Sequence, residues 1–163
     1  MDRRSFFVAA ALVALLPSCG NGSDDAHDGS APMEPDAEVC VAPGDSFSIG
    51  ISKTSPEGGV RVAIDDANPA PPGIGKNEWK LAIKDGSGEA IAGAAVNLTL
   101  YMPWPHDHSM AGTIGVDLGG GGYSVTGLNF TMPGLVHITV EVTPPGGQVQ
   151  KVLFPFCVQR KGN

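Results

Sequence analysis

From residue 46 to residue 158, apolar side chains recur at every second position in short runs separated by Gly, Pro, Asn and Asp. Successive side chains of a strand point to opposite faces, so the pattern is that of half-buried β-strands. Residues 46–52 put Phe47, Ile49 and Ile51 on one face, 59–64 put Val60, Val62 and Ile64 there, and 78–84 put Trp79, Leu81 and Ile83 there. Residues 94–101 (Val96, Leu98, Leu100), 113–118 (Ile114, Val116, Leu118) and 135–142 (Val136, Ile138, Val140, Val142) repeat it, and 123–130 and 148–158 complete the set. The 3.6-residue period of an amphipathic helix is absent from this region. Turn residues about every ten positions between such runs predict an all-β, antiparallel β-sandwich of about seven or eight strands. Residues 40–158 suit a single domain. Asp85-Gly86-Ser87-Gly88 reads as a hairpin connection, residues 119–122 as a tight turn, and the proline-rich 68–75 as a crossing between sheets.

The first 18 residues have the features of a targeting signal. Arg3 and Arg4 form a positive start, residues 6–16 an apolar stretch too short to span a bilayer, and Leu16-Pro17-Ser18-Cys19 follows. This resembles the bacterial lipobox, in which the cysteine is lipidated and becomes the new N-terminus. Cys19 is therefore the expected lipid anchor, the alternative being a plain secretory signal. Arg3-Arg4-Ser5-Phe6-Phe7 also resembles the twin-arginine motif, and general secretion remains open. Gly20 and Asn21 follow the anchor. By the sorting rule of enteric bacteria, the lack of Asp there favours the outer membrane, facing the periplasm.

Removing residues 1–18 takes out Asp2, Arg3 and Arg4 and leaves eight bases, sixteen acids and a net charge of -8. A phosphate backbone repels so acidic a chain, which excludes nucleic acid as a partner. Residues 20–39 hold Asp24, Asp25, Asp28, Glu34, Asp36 and Glu38 with no base and no aromatic, the composition of a disordered tether. With Cys19 lipidated, Cys40 and Cys157 remain at the two ends of the domain. In an oxidising compartment they are expected to form a disulfide, the alternative being free or metal-bound thiols. Residues 159–163 read as a tail.

Chemistry concentrates in Met102-Pro103-Trp104-Pro105-His106-Asp107-His108-Ser109-Met110. Imidazole and thioether together suit soft or borderline transition metals, copper above all. In an extended chain Met102, Trp104, His106, His108 and Met110 would face one side. Pro103 and Pro105 push the segment towards a period of three, so His106 and His108 are the firmer pair. The bland alternative is that the methionines plug the end of the core, as Met fills irregular gaps, and the histidines lie in a polar loop. No Gly-x-Ser-x-Gly, no His-Glu-x-x-His and no spare thiol is present, and adjacent Asp65 and Asp66 point apart in a strand. The expectation is a protein that is not an enzyme.

Asn77-Glu78-Trp79, Asp85-Gly86-Ser87-Gly88, Ile91-Ala92-Gly93-Ala94, Met102-Pro103 followed by His-x-His, Gly122-Tyr123 and Phe130-Thr131-Met132-Pro133-Gly134-Leu135 together resemble the YtkA-like (FixH-related) bacterial envelope domain. The resemblance covers roughly residues 40–158. It implies an immunoglobulin-like sandwich, secreted or membrane-tethered, some relatives of which are associated with copper handling and oxidase assembly. The family's Met-Pro segment with histidines falls on Met102, His106 and His108, and its Met-Pro-Gly segment on Met132. Trp104-Pro105 is inserted ahead of the histidines, and His137 lies near a position where relatives often carry an aromatic. The expectation is thus a copper site drawn from His106, His108, Met102, Met110 and Met132, on a lipoprotein serving an envelope oxidase or a copper-handling protein. The alternative is a non-enzymatic module that docks on an envelope membrane complex.

Overall fold

The computed structural model describes Cys40 and residues 44–159. The signal peptide, the anchor Cys19 and the tether expected over residues 20–39 lie outside the described residues, as do 160–163. Eight strands and no helix are found among the described residues: β1 (Ser52–Thr54), β2 (Val60–Asn68), β3 (Gly75–Asp85), β4 (Ala95–Met102), β5 (His108–Gly119), β6 (Gly122–Phe130), β7 (Gly134–Thr143) and β8 (Gln150–Val158). All pair antiparallel in one sheet of order β1-β2-β3-β6-β5-β4-β7-β8.

The sheet curls until its ends meet. β8 returns against β1 and β2, Asp45 bridges to Phe156, and Trp79 of β3 meets the Phe156 ring edge-on at 6.0 Å across the interior. The outcome is the all-β, antiparallel, sandwich-like fold that the alternation predicts, built from one nearly closed sheet. Its core is the inward parity of six strands, including Val62, Leu81, Leu98, Val125, Ile138 and Phe154. Tyr123 lies wholly inside with its hydroxyl paired on both sides: it donates to the Ile91 carbonyl at 2.8 Å and accepts from the Ala94 N–H at 2.9 Å. That pairing pins the strap between β3 and β4 to the end of the core.

Three local expectations are corrected. Of residues 46–52 only Ser52 belongs to a strand: a turn closes from Ser48 to Ile51, with Gly50 at φ 85°, and Gly50 and Ile51 hydrogen-bond to Ile64 just ahead of β1. Phe47 still packs on Phe156, at 5.3 Å, while Ile49 is 51% exposed. The proline-rich 68–75 links β2 to its neighbour β3 and crosses nothing; buried Asn77 ties it down, accepting from Gly73 N–H and donating to the Gly73 and Gly75 carbonyls. Asp85-Gly86-Ser87-Gly88, by contrast, closes a short hairpin as expected: the Asp85 carboxylate holds the turn, Lys84 bridges Ala90 antiparallel, and Ile91 N–H donates to the Ile83 carbonyl before the chain leaves for β4. The chain therefore crosses at 86–94 and again at 131–133. Gln159, expected in the tail, forms a bridge with Gly73.

A fourth correction concerns β5. Opposite Leu98 and Leu100 of β4 stand Thr113 and Met110, so β5 holds one extra residue there, a β-bulge at Ala111-Gly112. A Cβ on Gly112 would run into the Leu98 carbonyl. Because side chains alternate, one extra residue flips the faces. His108 and Met110 face inward before the bulge. After it Gly115 does, and Ile114, Val116 and Leu118 stand outward at 68%, 58% and 59% exposure.

Candidate metal centre

The β4–β5 hairpin sets Met102 opposite His108 and Leu100 opposite Met110. Directly opposed residues share a face, so all four point to the inner side. Met102 has no exposed surface, while His108 and Met110 are half-buried. Residues 103–107 reverse the chain, with His106 N–H donating to the Pro103 carbonyl at 3.2 Å. That reversal breaks the single extended face expected of residues 102–110. Trp104 is 76% exposed at the tip, and His106 is exposed beside it.

The crossing over residues 131–133 runs beside this hairpin. A Cβ built on Gly134 would stand 2.8 Å from Met102 Cε and 3.6 Å from His106 Nε2. No more than 6.4 Å, the sum of those distances, separates the two side-chain atoms. Gly134 has φ 143°, a conformation that glycine supplies without strain. The Thr131 hydroxyl lies 3.8 Å from Met110 Sδ, and half-buried Met132 packs against the core. The His106 and His108 rings are 6.1 Å apart and nearly perpendicular, with His108 Nδ1 3.3 Å from the His106 carbonyl oxygen. The two Met-Pro turns thus lie side by side at one end of the fold.

On the other side of the hairpin, the Tyr101 hydroxyl donates to Asp107 Oδ1, which holds the phenol above its ordinary pKa. The His137 ring is 6.2 Å from that of Tyr101, across the β4–β7 pairing and away from the inward donors. Sequence reasoning missed Gly134, Thr131, Tyr101 and Asp107 as parts of this end. The glycine following Met132-Pro133 was the one available signal.

Imidazole and thioether, the donor types gathered here, are those that suit soft or borderline ions. No cluster of three His, Cys, Asp or Glu occurs among the described residues. Two imidazoles and three thioethers are instead distributed over the end of the β4–β5 hairpin and the adjoining crossing at 131–133. Thioethers suit copper(I) and imidazoles either oxidation state.

A model of the YtkA-like family matches residues 57–141, just over half of the chain. The chain belongs to the YtkA-like family. The matched part of this YtkA-like domain runs from the turn ahead of β2 into β7 and includes both Met-Pro turns. It leaves β1, β8, Cys40 and Cys157 outside. No curated protein and no solved structure matches the chain.

Proposed function

We propose that this YtkA-like protein is a lipid-anchored lipoprotein of the bacterial envelope that binds copper and delivers it to an envelope oxidase or another copper-handling protein. The observation that carries the reading is the approach of Met102 and His106 to the same point beside Gly134, with His108 and Met110 at the start of β5 and Met132 in the adjoining crossing. His106 and His108 are the accessible donors. Met110 and Met132 are half-buried, and Met102 is wholly buried. Bound copper(I) would take thioethers and copper(II) imidazoles. The protein would carry the ion and catalyse nothing.

The leader residues Arg3 and Arg4, the apolar 6–16 and Ser18-Cys19 support export and anchoring through Cys19, with the outer membrane facing the periplasm as the destination. The test is a titration of the mature protein in detergent with copper(I) and copper(II), repeated on His106→Ala/His108→Ala. Submicromolar binding that weakens roughly 100-fold or more in the variant is expected, which corresponds to about 2.7 kcal/mol. Binding that is equally weak, micromolar or poorer, in both proteins overturns the reading.

A further inference from the structure

Tyr101 and Asp107 belong to the same hairpin as the candidate ligands but work on its opposite side. Tyr101 directly precedes buried Met102 in β4, so it projects from the outer face. Its hydroxyl hydrogen bond draws the Asp107 carboxylate to that face. Among the described residues Asp107 is the one non-glycine with positive φ, at 46°. The residue next to His108 is thus held in an uncommon conformation with its side chain turned away from the donors.

Asp107 is also the sole carboxylate in residues 102–110 and 131–134. A carboxylate is a hard oxygen donor that zinc(II) and other divalent ions accept readily. Thioethers favour soft copper(I). Whether this carboxylate can reach a bound ion therefore changes what the site prefers.

We infer that Tyr101 sets the metal selectivity of the hairpin: by holding Asp107 on the outer face it withholds the one carboxylate, leaving imidazole and thioether donors that favour a soft monovalent ion over zinc(II). The inference rests on His106 and His108 forming a metal site. Tyr101 is a positioning residue and touches no ion itself. Asn at position 107 would still accept the phenol hydrogen bond and tolerates positive φ. It offers no anionic oxygen.

The experiment measures zinc(II) and copper(I) affinities, the latter in competition with a chromogenic chelator. The proteins are the mature chain, Tyr101→Phe, Asp107→Asn and Tyr101→Phe/Asp107→Asn, each checked for folding by circular dichroism. Tyr101→Phe should tighten zinc(II) binding about tenfold or more, within the range by which residues outside the ligand set tune metal sites. Asp107→Asn should leave zinc(II) binding as in the parent, and the double variant should cancel the gain. A zinc(II) affinity of Tyr101→Phe equal to the parent's, or a gain that survives in the double variant, overturns the inference. Failure of the parent to bind copper(I) would sink the copper reading alone, because the zinc(II) comparison decides the role of Tyr101 separately.

Discussion

At the scale of single residues, Gly134 does the most with the least. Its missing Cβ lets Met102 Cε, at the end of β4, and His106 Nε2, in the turn that follows, approach the same point, and its φ of 143° suits few other residues. Gly134→Ala should lower stability by about 1–3 kcal/mol through backbone strain, read as a shifted urea midpoint. The steric part should be small, because the atom met is the free end of a flexible methionine. The same substitution should weaken copper(I) binding by displacing Met102 from His106, measurable in the same titration as the parent. An unchanged midpoint would show that position 134 tolerates a side chain. The donors themselves were legible as residue types, since His and Met crowd a single stretch. Their partners were not. Asp107 reads as a solvated loop acid and Tyr101 as one more strand aromatic until the hairpin closes and joins them.

At the scale of elements, β5 carries the clearest lesson. Its alternation of Ile114, Val116 and Leu118 is as regular as that of any buried strand, yet the row faces outward. Periodicity reports that a strand has two different faces. It does not say which one points inward when a bulge upstream has changed the parity. The bulge at Ala111-Gly112 depends on a close approach to the Leu98 carbonyl, a long-range fact with no local sequence mark beyond a glycine. The triple substitution Ile114→Thr/Val116→Thr/Leu118→Thr should therefore change stability by no more than about 0.5 kcal/mol per site. Leu98→Ala, at a wholly buried position of the neighbouring strand, should cost about 2–5 kcal/mol. Urea denaturation of both variants checks the contrast, and a large loss in the triple variant would place the row inside. The strands β3, β4, β6 and β7 were legible because their parity is confirmed by wholly buried large side chains. The connections were less so, because a turn such as residues 85–88 fixes a reversal of direction and leaves the next pairing partner open.

At the scale of the whole molecule, the fold depends on joining its two ends. Cys40 and Cys157 form a disulfide with Cα atoms 5.9 Å apart across a sequence separation of 117 residues. Compartment and cysteine count were enough to expect this pair. That the sheet would curl until β8 met β1 and β2 was not legible, because period-2 alternation is the same in two stacked sheets and in one rolled sheet. On the chain-entropy account a loop of this size is worth about 4–5 kcal/mol, so Cys40→Ser/Cys157→Ser should lower stability by about 2–5 kcal/mol. Reductant should bring the parent to the level of the variant and leave the variant unmoved, a comparison made by urea denaturation. Equal stability of oxidised and reduced parent would mean that the ends hold without the bond.

The disulfide also decides how the domain would bear a pull from its N-terminal side. β1 is only three residues long and pairs only with β2 within the sheet. Tension applied directly to β1 would peel it from β2 one hydrogen bond at a time, like a zip opened from its end. With Cys40 bonded to Cys157, tension arriving ahead of Cys40 enters β8 through a covalent link. β8 is paired with β7 along its whole length, from Gln150 to Val158, so the strain meets nine paired residues before it reaches the short edge strand.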